Sequence, residues 1–250
     1  MKAMILAAGM GTRLRPLTDD RPKALVTVAG RTLLQIALER LRSFGVHEVI
    51  VNTHHYADML VQYLQANDNF GMKVEVSREE DLLDTGGGLK NAAPFFLNAN
   101  GDPQQPFILH NVDVLSTIDL ERMMRFHIEQ NALATLAVQD RETSRYLLFD
   151  QQSQLCGRRV DKDGELQWAR PVLQSHALAF SGIHILSPRI FANLHEEGAF
   201  SIITSYMRLA SQGEKIAAFR MDKCYWRDLG RPASIQQAEE DIASGKYPIT

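Results

Sequence analysis

The feature that most constrains the fold is an alternation of short apolar runs with amphipathic segments over the first 140 residues. Apolar runs at 2–7, 47–52, 73–76, 107–110 and 133–138 predict strands, and segments at 32–44, 56–65, 88–97 and 120–130 predict helices. Thr32 is a candidate cap for the first helix and Gly45 marks its end. Such alternation predicts βαβ crossovers, and therefore an α/β fold with a Rossmann-like wound, mostly parallel sheet and helices on both faces.

The pattern changes after about residue 140, where shorter strand-like segments dominate. Antiparallel strands are predicted at 145–157 and 165–168, around a turn at 161–164. A further strand is predicted at 177–186, an edge strand at 215–220, and helices at 200–212 and 232–244. No tract has the composition of a long linker, so we predict a single domain over 1–250 with a small β-rich extension.

Composition excludes several classes of partner. The net charge of −3 provides no global basic field for nucleic acid, and no apolar stretch is long enough to cross a bilayer. Cys156 and Cys224 have neither metal-ligand nor redox spacing, which suits a reducing compartment. We therefore predict a cytoplasmic protein that binds neither nucleic acid nor membrane, and the sequence leaves its oligomeric state open.

A loop rich in small and basic residues follows the first predicted strand, with the sequence LAAGMGTRLRPLT at 6–18. Small residues at 7, 8, 9 and 11 let backbone N–H groups approach phosphate oxygens. Arg13, Arg15, Arg21 and Lys23 supply a local positive cluster for an anionic ligand. A dinucleotide fingerprint is excluded because Leu14 occupies the position of its third glycine, and a P-loop is excluded because Gly-Lys-Ser/Thr is absent.

This loop, with Pro22-Lys23 and Val28-x-Gly30, resembles the signature of the sugar-1-phosphate nucleotidylyltransferases, and the similarity extends over nearly the whole chain. The resemblance implies an enzyme that joins a nucleoside triphosphate to a sugar 1-phosphate and releases pyrophosphate. It implies a nucleotide-binding half at 1–140, a sugar-binding and second-metal half at 141–250, and catalytic roles for Arg13 and Lys23. The nucleotide contacts that it implies are Ala7, Ala8, Gly9, Gly11, Thr12, Arg13, Lys23, Thr85, Gly86 and Gly87.

Two acids are candidate metal ligands. Asp113 follows a predicted buried strand, and Asp228 lies just before the last predicted helix. Either acid alone is more often a cap or turn residue, but magnesium prefers one or two carboxylates together with phosphate oxygens and water. The segments 111–113 and 226–232 also resemble metal motifs of the family, although Val112 replaces a common glycine. The resemblance therefore implies Mg²⁺ bound by Asp113 and Asp228.

Candidate sugar contacts rest mainly on the resemblance, which implies Asn111, Asp150, Ser181 and Gly182. Glycine inside a strand marks a bulge or a close backbone approach, as predicted at Gly182. Asp150 is equally well explained as a hairpin-turn acid. The glycines at 86–88 are likewise open to a second interpretation, a flexible loop at a helix start. A Glu-Lys-Pro motif that grips the sugar phosphate in many family members is absent.

The most specific prediction concerns the pair of substrates. Segments 85–88, 180–183 and 198–200 resemble the muramate 1-phosphate uridylyltransferases, which implies UTP with N-acetylmuramate 1-phosphate. Mannose- and heptose-1-phosphate guanylyltransferases share most of these motifs and remain the alternative within the enzyme class. A catalytically inactive regulatory module that binds nucleotide sugars is the alternative of another class, and retention of both cations and both acids disfavours it.

Overall fold

The computed structural model describes residues 1–97, 104–160 and 165–248, so the turn predicted at 161–164 lies outside the described residues. The chain divides into two compact units. Unit 1 comprises Met1–Asp84, Leu109–Ile118 and Cys224–Thr250, and unit 2 comprises Thr85–Ile108 and Asp119–Lys223. Each unit is therefore assembled from separate stretches of sequence.

Strands and helices alternate along most of the described chain. The strands are β1 Lys2–Leu6, β2 Thr27–Val28, β3 Arg31–Thr32, β4 Glu48–Thr53, β5 Lys73–Arg78, β6 Phe107–Asn111, β7 Val114–Ser116, β8 Ala134–Gln139, β9 Arg145–Phe149, β10 Leu155–Val160, β11 Glu165–Trp168, β12 His176–Leu186, β13 Ile216–Arg220 and β14 Trp226–Asp228. The α-helices are α1 Leu33–Ser43, α2 Ala57–Ala66, α3 Asp84–Asn91, α4 Ala93–Leu97, α5 Leu120–Glu129, α6 Ile202–Ser211 and α7 Pro232–Ala243. Short 3₁₀ helices lie at Thr12–Leu14, Lys23–Leu25, Asp68–Gly71 and Pro188–Asn193.

Unit 1 contains the first strands predicted from the sequence, whereas the strand predicted at 133–138 is β8 of unit 2. Strand β1 pairs in parallel with β4, and β4 pairs in parallel with β5, while β6 is the other neighbour of β1. The middle of β1 is fully buried, as its unbroken apolar character predicts. Thr32 caps α1 by accepting a hydrogen bond from the Gln35 N–H at 3.0 Å, and Gly45 follows the helix at φ 73°. The predicted cap and stop are therefore confirmed.

Unit 2 is the β-rich part, and antiparallel pairing dominates its strands. Strands β11, β10, β9 and β12 are neighbours in that order, and β8 pairs antiparallel with β12 and parallel with β13. The register of β12 against β8 shifts between Phe180 and His184, where Gly182 adopts φ 75°. The irregularity predicted from a glycine inside a strand is therefore confirmed, and so is the α/β class with a β-rich extension.

The helix predicted over 88–97 begins earlier than expected. Helix α3 starts at Asp84 and therefore includes Thr85, Gly86 and Gly87, which the prediction had placed before the helix. The chain then breaks into the separate helix α4, because Pro94 lacks the N–H that a continuous helix would need there. No helix in the described ranges is both long and apolar enough to cross a membrane.

Candidate active site

The glycine loop of unit 1 turns sharply at Gly11. This residue adopts φ 64°, and its carbonyl accepts hydrogen bonds from the Leu14 N–H at 2.8 Å and from the Thr18 hydroxyl at 2.9 Å. A Cβ atom at this position would lie 2.9 Å from Thr18 Cγ2 and 3.2 Å from Lys23 Cβ. Glycine is therefore required at 11 both by the backbone conformation and by close packing.

The neighbouring Gly9 has a different environment. It is exposed, and a Cβ atom added to it would meet nothing within 4 Å. Thr12 and Arg13 follow in the exposed part of the loop, whereas Ala8 is buried at its base. Of the predicted nucleotide contacts, Gly9, Thr12 and Arg13 are therefore exposed, and Gly9 has open space beside its Cα.

The base of the loop is held by residues that sequence analysis missed. The Ala7 N–H donates to Asn52 Oδ1 at 2.7 Å, and Asn52 Nδ2 donates to Glu79 Oε1 at 2.7 Å. Sequence analysis expected the Ala7 N–H to point at a phosphate. In the structure this N–H is instead hydrogen-bonded to Asn52 within unit 1. A signal was present in the sequence, because Asn52 directly follows the apolar run at 49–51 and is a polar residue near the carboxyl end of its strand.

Lys23 and Asp113 form a salt bridge on the same side of unit 1 as the loop. Lys23 begins a short 3₁₀ helix after Pro22, and Asp113 lies in the turn between β6 and β7. Their side chains are only 16% and 7% exposed, and Lys23 Nζ contacts Asp113 Oδ2. A nearly buried ion pair of this kind places a cation directly beside the first candidate metal ligand.

Strand pairing brings the backbone of Asp228 next to that of Asp113. Strand β14 runs antiparallel to β7, which sets Asp228 opposite Val114, the residue that follows Asp113. The Leu229 N–H donates to the Asp113 carbonyl at 2.8 Å. The two predicted metal ligands are distant in sequence, but their backbones are thus brought together, Asp228 at the end of β14 and Asp113 in the turn before β7.

Gly230 links Asp228 with Arg13. Its N–H donates to Asp228 Oδ1 at 2.7 Å. A Cβ atom at 230 would lie 2.7 Å from that carboxylate oxygen and 2.9 Å from a guanidinium nitrogen of Arg13. The absence of a side chain at Gly230 therefore lets the cation and the acid approach one point, a role that sequence analysis did not assign although the glycine belongs to the 226–232 motif.

The donor set in this region is suited to magnesium. No group of three or more His, Cys, Asp or Glu side chains able to hold a metal ion occurs within the described ranges. Mg²⁺ nevertheless needs only one or two protein carboxylates when phosphate oxygens and waters complete its shell, and Asp113 and Asp228 meet that requirement. Burial lowers the pKa of the nearby His110 to about 4, so this imidazole is neutral and packs in β6, as expected.

The predicted residues Thr85, Gly86 and Gly87 lie at the start of α3, where their groups are used inside unit 2. The Gly86 N–H donates to the Phe200 carbonyl at 2.8 Å, and the Thr85 hydroxyl accepts from the Ile202 N–H at 3.0 Å. Gly86 and Gly87 are buried. The helix-start interpretation describes this segment well, and its contact with a nucleobase stays a prediction.

The predicted sugar contacts are divided between the units. Asn111 ends β6 in unit 1, whereas Ser181 and Gly182 lie in β12 of unit 2. Asp150 closes the turn between β9 and β10, where Oδ1 accepts from the N–H groups of residues 152 and 154, each at 2.9 Å, and Oδ2 contacts Arg170.

Asp150 thus has the geometry of a turn acid. Burial acts to raise the pKa of Asp150, but the Arg170 guanidinium and the turn N–H groups outweigh it and hold the pKa below its usual value. The carboxylate is therefore charged and engaged by its own turn. The sugar-binding role of Asp150, like those of the other three residues, stays a prediction.

Comparisons with known proteins identify the family to which the chain belongs. The family model described as nucleotidyl transferase matches residues 2–245. The N-acetylmuramate alpha-1-phosphate uridylyltransferase of Caulobacter vibrioides is 32% identical, over 96% of both chains. A probable mannose-1-phosphate guanylyltransferase of Arabidopsis thaliana is 31% identical over 93% of this chain, which spans 62% of that relative's length.

The fold also matches a solved structure. A putative glucose-1-phosphate thymidylyltransferase from Bacillus anthracis superimposes with a TM-score of 0.79, at 18% identity, over 96% of this chain and 94% of that one. At that identity the likeness concerns the fold alone. The chain belongs to the nucleotidyl transferase family, and within it to the sugar-1-phosphate nucleotidyltransferases.

Proposed function

We propose that this enzyme transfers a uridylyl group from UTP to N-acetylmuramate 1-phosphate, giving the UDP-sugar and pyrophosphate. The observation that carries the choice of substrates is the match to the Caulobacter uridylyltransferase, which covers 96% of both chains. The guanylyltransferase relative is matched over only 62% of its length. The similarity to the Caulobacter enzyme, at 32% identity over nearly the whole of this chain, thus supports the uridylyltransferase.

The charged residues of unit 1 support the transfer chemistry. Arg13 and Lys23 are two of the four cations in this region. Lys23 forms a salt bridge with Asp113, and Arg13 approaches Gly230 on the side where Asp228 also lies close to that glycine. This arrangement provides positive charge for a triphosphate and carboxylates for its counter-ion. Such a site stabilises developing negative charge without prior rearrangement.

The reaction needs no general base. The phosphate of a sugar 1-phosphate has a second pKa of about 6, so its oxygens are already anionic at neutral pH. One of these oxygens forms a bond to the α-phosphorus, the bond to the β-phosphate breaks, and pyrophosphate leaves with that electron pair. Lys23 and Arg13 stabilise the negative charge on the transferred and departing phosphates.

Asp113 and Asp228 are proposed to hold the divalent cation. When bound there, Mg²⁺ supplies charge neutralisation at the reacting phosphate oxygens. The carboxylates themselves have two tasks in this scheme: they fix the position of that charge, and Asp113 keeps Lys23 beside the loop. Catalysis then rests on positioning and electrostatics.

The proposal is tested with a matrix of UTP, GTP, dTTP and ATP against N-acetylmuramate, mannose and glucose 1-phosphates, with pyrophosphate release as the readout. We expect the highest kcat/KM for UTP with N-acetylmuramate 1-phosphate. A higher kcat/KM for GTP with mannose 1-phosphate would replace this function with the second candidate, which the 31% identity to a plant guanylyltransferase favours. Absence of pyrophosphate with every pair would favour the inactive regulatory module.

A further inference from the structure

A chain of buried hydrogen bonds in unit 1 connects the glycine loop with a glutamate that the catalytic scheme does not use. Glu79 follows β5 and is 5% exposed, and Asn52 lies near the end of β4 and is 2% exposed. Strand pairing brings them together, because the Glu79 N–H donates to the carbonyl of Thr53 at 2.8 Å. The same pairing sets Asn52 opposite Leu6, the last residue of β1.

The polarity of this network is determined at both ends by backbone N–H groups. The Ala7 N–H faces Asn52 and requires an acceptor there, so the amide must present Oδ1 to Ala7 and its NH₂ group to Glu79. The other carboxylate oxygen of Glu79 accepts the Leu83 N–H at 3.0 Å. Glu79 thus receives donors at both oxygens, which an ionised carboxylate satisfies and an amide does not.

We propose that Glu79 is a positioning residue for the bound nucleoside triphosphate. It orients Asn52, Asn52 holds Ala7, and Ala7 sets the point at which the glycine loop leaves the sheet. Through Leu83, the same carboxylate fixes the segment that precedes Asp84. This inference rests on the proposed function, because it assigns the triphosphate to the glycine loop.

Glu79 acts at a distance from the ligand, so its loss alters loop geometry and leaves the phosphate-binding cations in place. In Glu79→Gln the introduced NH₂ group faces either the Asn52 NH₂ group or the Leu83 N–H, and one buried donor loses its acceptor. The double variant Asn52→Asp/Glu79→Gln reverses the polarity of the central bond and restores an acceptor for every donor. The double variant also keeps the wild-type net charge, because Asn52→Asp adds one carboxylate and Glu79→Gln removes one.

The experiment measures dissociation constants for UTP and for GTP, each with Mg²⁺, by calorimetry, together with thermal unfolding of every variant. Glu80→Gln is the matched control, since Glu80 is the exposed neighbour and its substitution removes the same charge. We expect Glu79→Gln to weaken binding of the preferred nucleotide about tenfold, a change equivalent to one lost buried hydrogen bond. Glu80→Gln should leave that constant unchanged, and the double variant should recover it to within about threefold.

Several outcomes would overturn the inference. A folded Glu79→Gln protein that binds nucleotide as tightly as the wild type, with only a lower melting temperature, would make Glu79 merely structural. A double variant that folds without recovering affinity would do the same, and this arm remains decisive if Glu79→Gln alone does not fold. Wild-type pyrophosphate release tests the proposed function separately, so an enzyme that binds nucleotide without turnover would refute that function while these binding ratios still decide the role of Glu79.

Discussion

Two glycine-rich segments of this protein share a similar sequence signal and have opposite environments. In unit 1, Gly9 is exposed, and a side chain there would meet nothing within 4 Å. In unit 2, Gly86 is buried in α3, and a Cβ atom would overlap the ring of Phe200 and lie 2.9 Å from its carbonyl oxygen. The first glycine leaves room for a ligand, whereas the second leaves room for the protein's own packing.

The acids of the two units differ in the same way. Asp113, in the turn before β7, and Asp228, on the paired strand β14, lie near Lys23 and Arg13 in unit 1. Asp150 of unit 2 closes its own turn through two N–H groups and Arg170. Substitutions in unit 1 should therefore affect turnover, and those in unit 2 should primarily affect stability.

The largest effect is expected from the acids of unit 1. Asp113→Asn and Asp228→Asn should each lower kcat by about 10²-fold or more, the order observed when one transition-state charge contact is lost, with the fold retained. Steady-state pyrophosphate release and circular dichroism measure the two quantities. Asp150→Asn is the matched substitution in unit 2 and should lower kcat by less than about tenfold. Equal losses at all three positions would remove the distinction between the units.

Lys23→Ala should reduce kcat more than it raises the KM for the triphosphate, because the negative charge that Lys23 neutralises develops most fully in the transition state. Initial rates over a range of UTP concentrations separate the two constants. Lys90→Ala provides the comparison in unit 2, where the ammonium donates to the Glu196 carbonyl at 2.6 Å. If Lys23→Ala keeps the wild-type kcat and only weakens binding, Lys23 is a docking residue.

Gly86→Ala should destabilise the protein by about 1–3 kcal/mol, the usual cost of overpacking a buried site. The reason is the overlap of the new methyl group with Phe200. Urea unfolding at 25 °C gives the free energy of unfolding for wild type and variant. An unchanged midpoint would show that the helix start tolerates a side chain, and the contrast with Gly9 would then lose its basis.

Gly9→Ala should have the smallest effect on stability, within about 0.5 kcal/mol, because its methyl group projects into open space. That space is where we propose that the triphosphate approaches the loop, so the Kd for UTP should rise by roughly tenfold through lost close contact. Urea unfolding and calorimetric titration are measured on the same preparation. Unchanged affinity would place the phosphates elsewhere than beside Gly9.

Local patterns in the sequence were sufficient to predict most of the elements of unit 1. The cap at Thr32, the stop at Gly45 and the buried strand β1 follow from residues that are adjacent or nearly so. The predicted start of α3 was wrong, because each of several successive glycines disfavours a helix by about 1 kcal/mol and the prediction therefore placed the start too late. Contacts of that segment with Phe200 override the local preference.

The candidate site was predictable only in part, for the same physical reason. Motif resemblance identified Asp113 and Asp228, but their proximity depends on the pairing of β7 with β14, which no local pattern encodes. Asn52 stood out as a polar residue after an apolar run, but its partners Ala7 and Glu79 could not be predicted because a hydrogen-bonded chain between strands is a tertiary feature. Short-range periodicity predicts helices and strands, whereas contacts between residues distant in sequence become known only from the folded structure.

The central claim is that the residues gathered in unit 1 carry out a metal-dependent transfer to a sugar 1-phosphate. Its most direct test is pyrophosphate release by the purified protein with UTP and N-acetylmuramate 1-phosphate, measured with Mg²⁺ and again in excess chelator. We predict pyrophosphate and UDP-sugar in equal amounts with Mg²⁺, loss of both in chelator, and full recovery when Mg²⁺ is added back. Full activity in excess chelator would contradict the account.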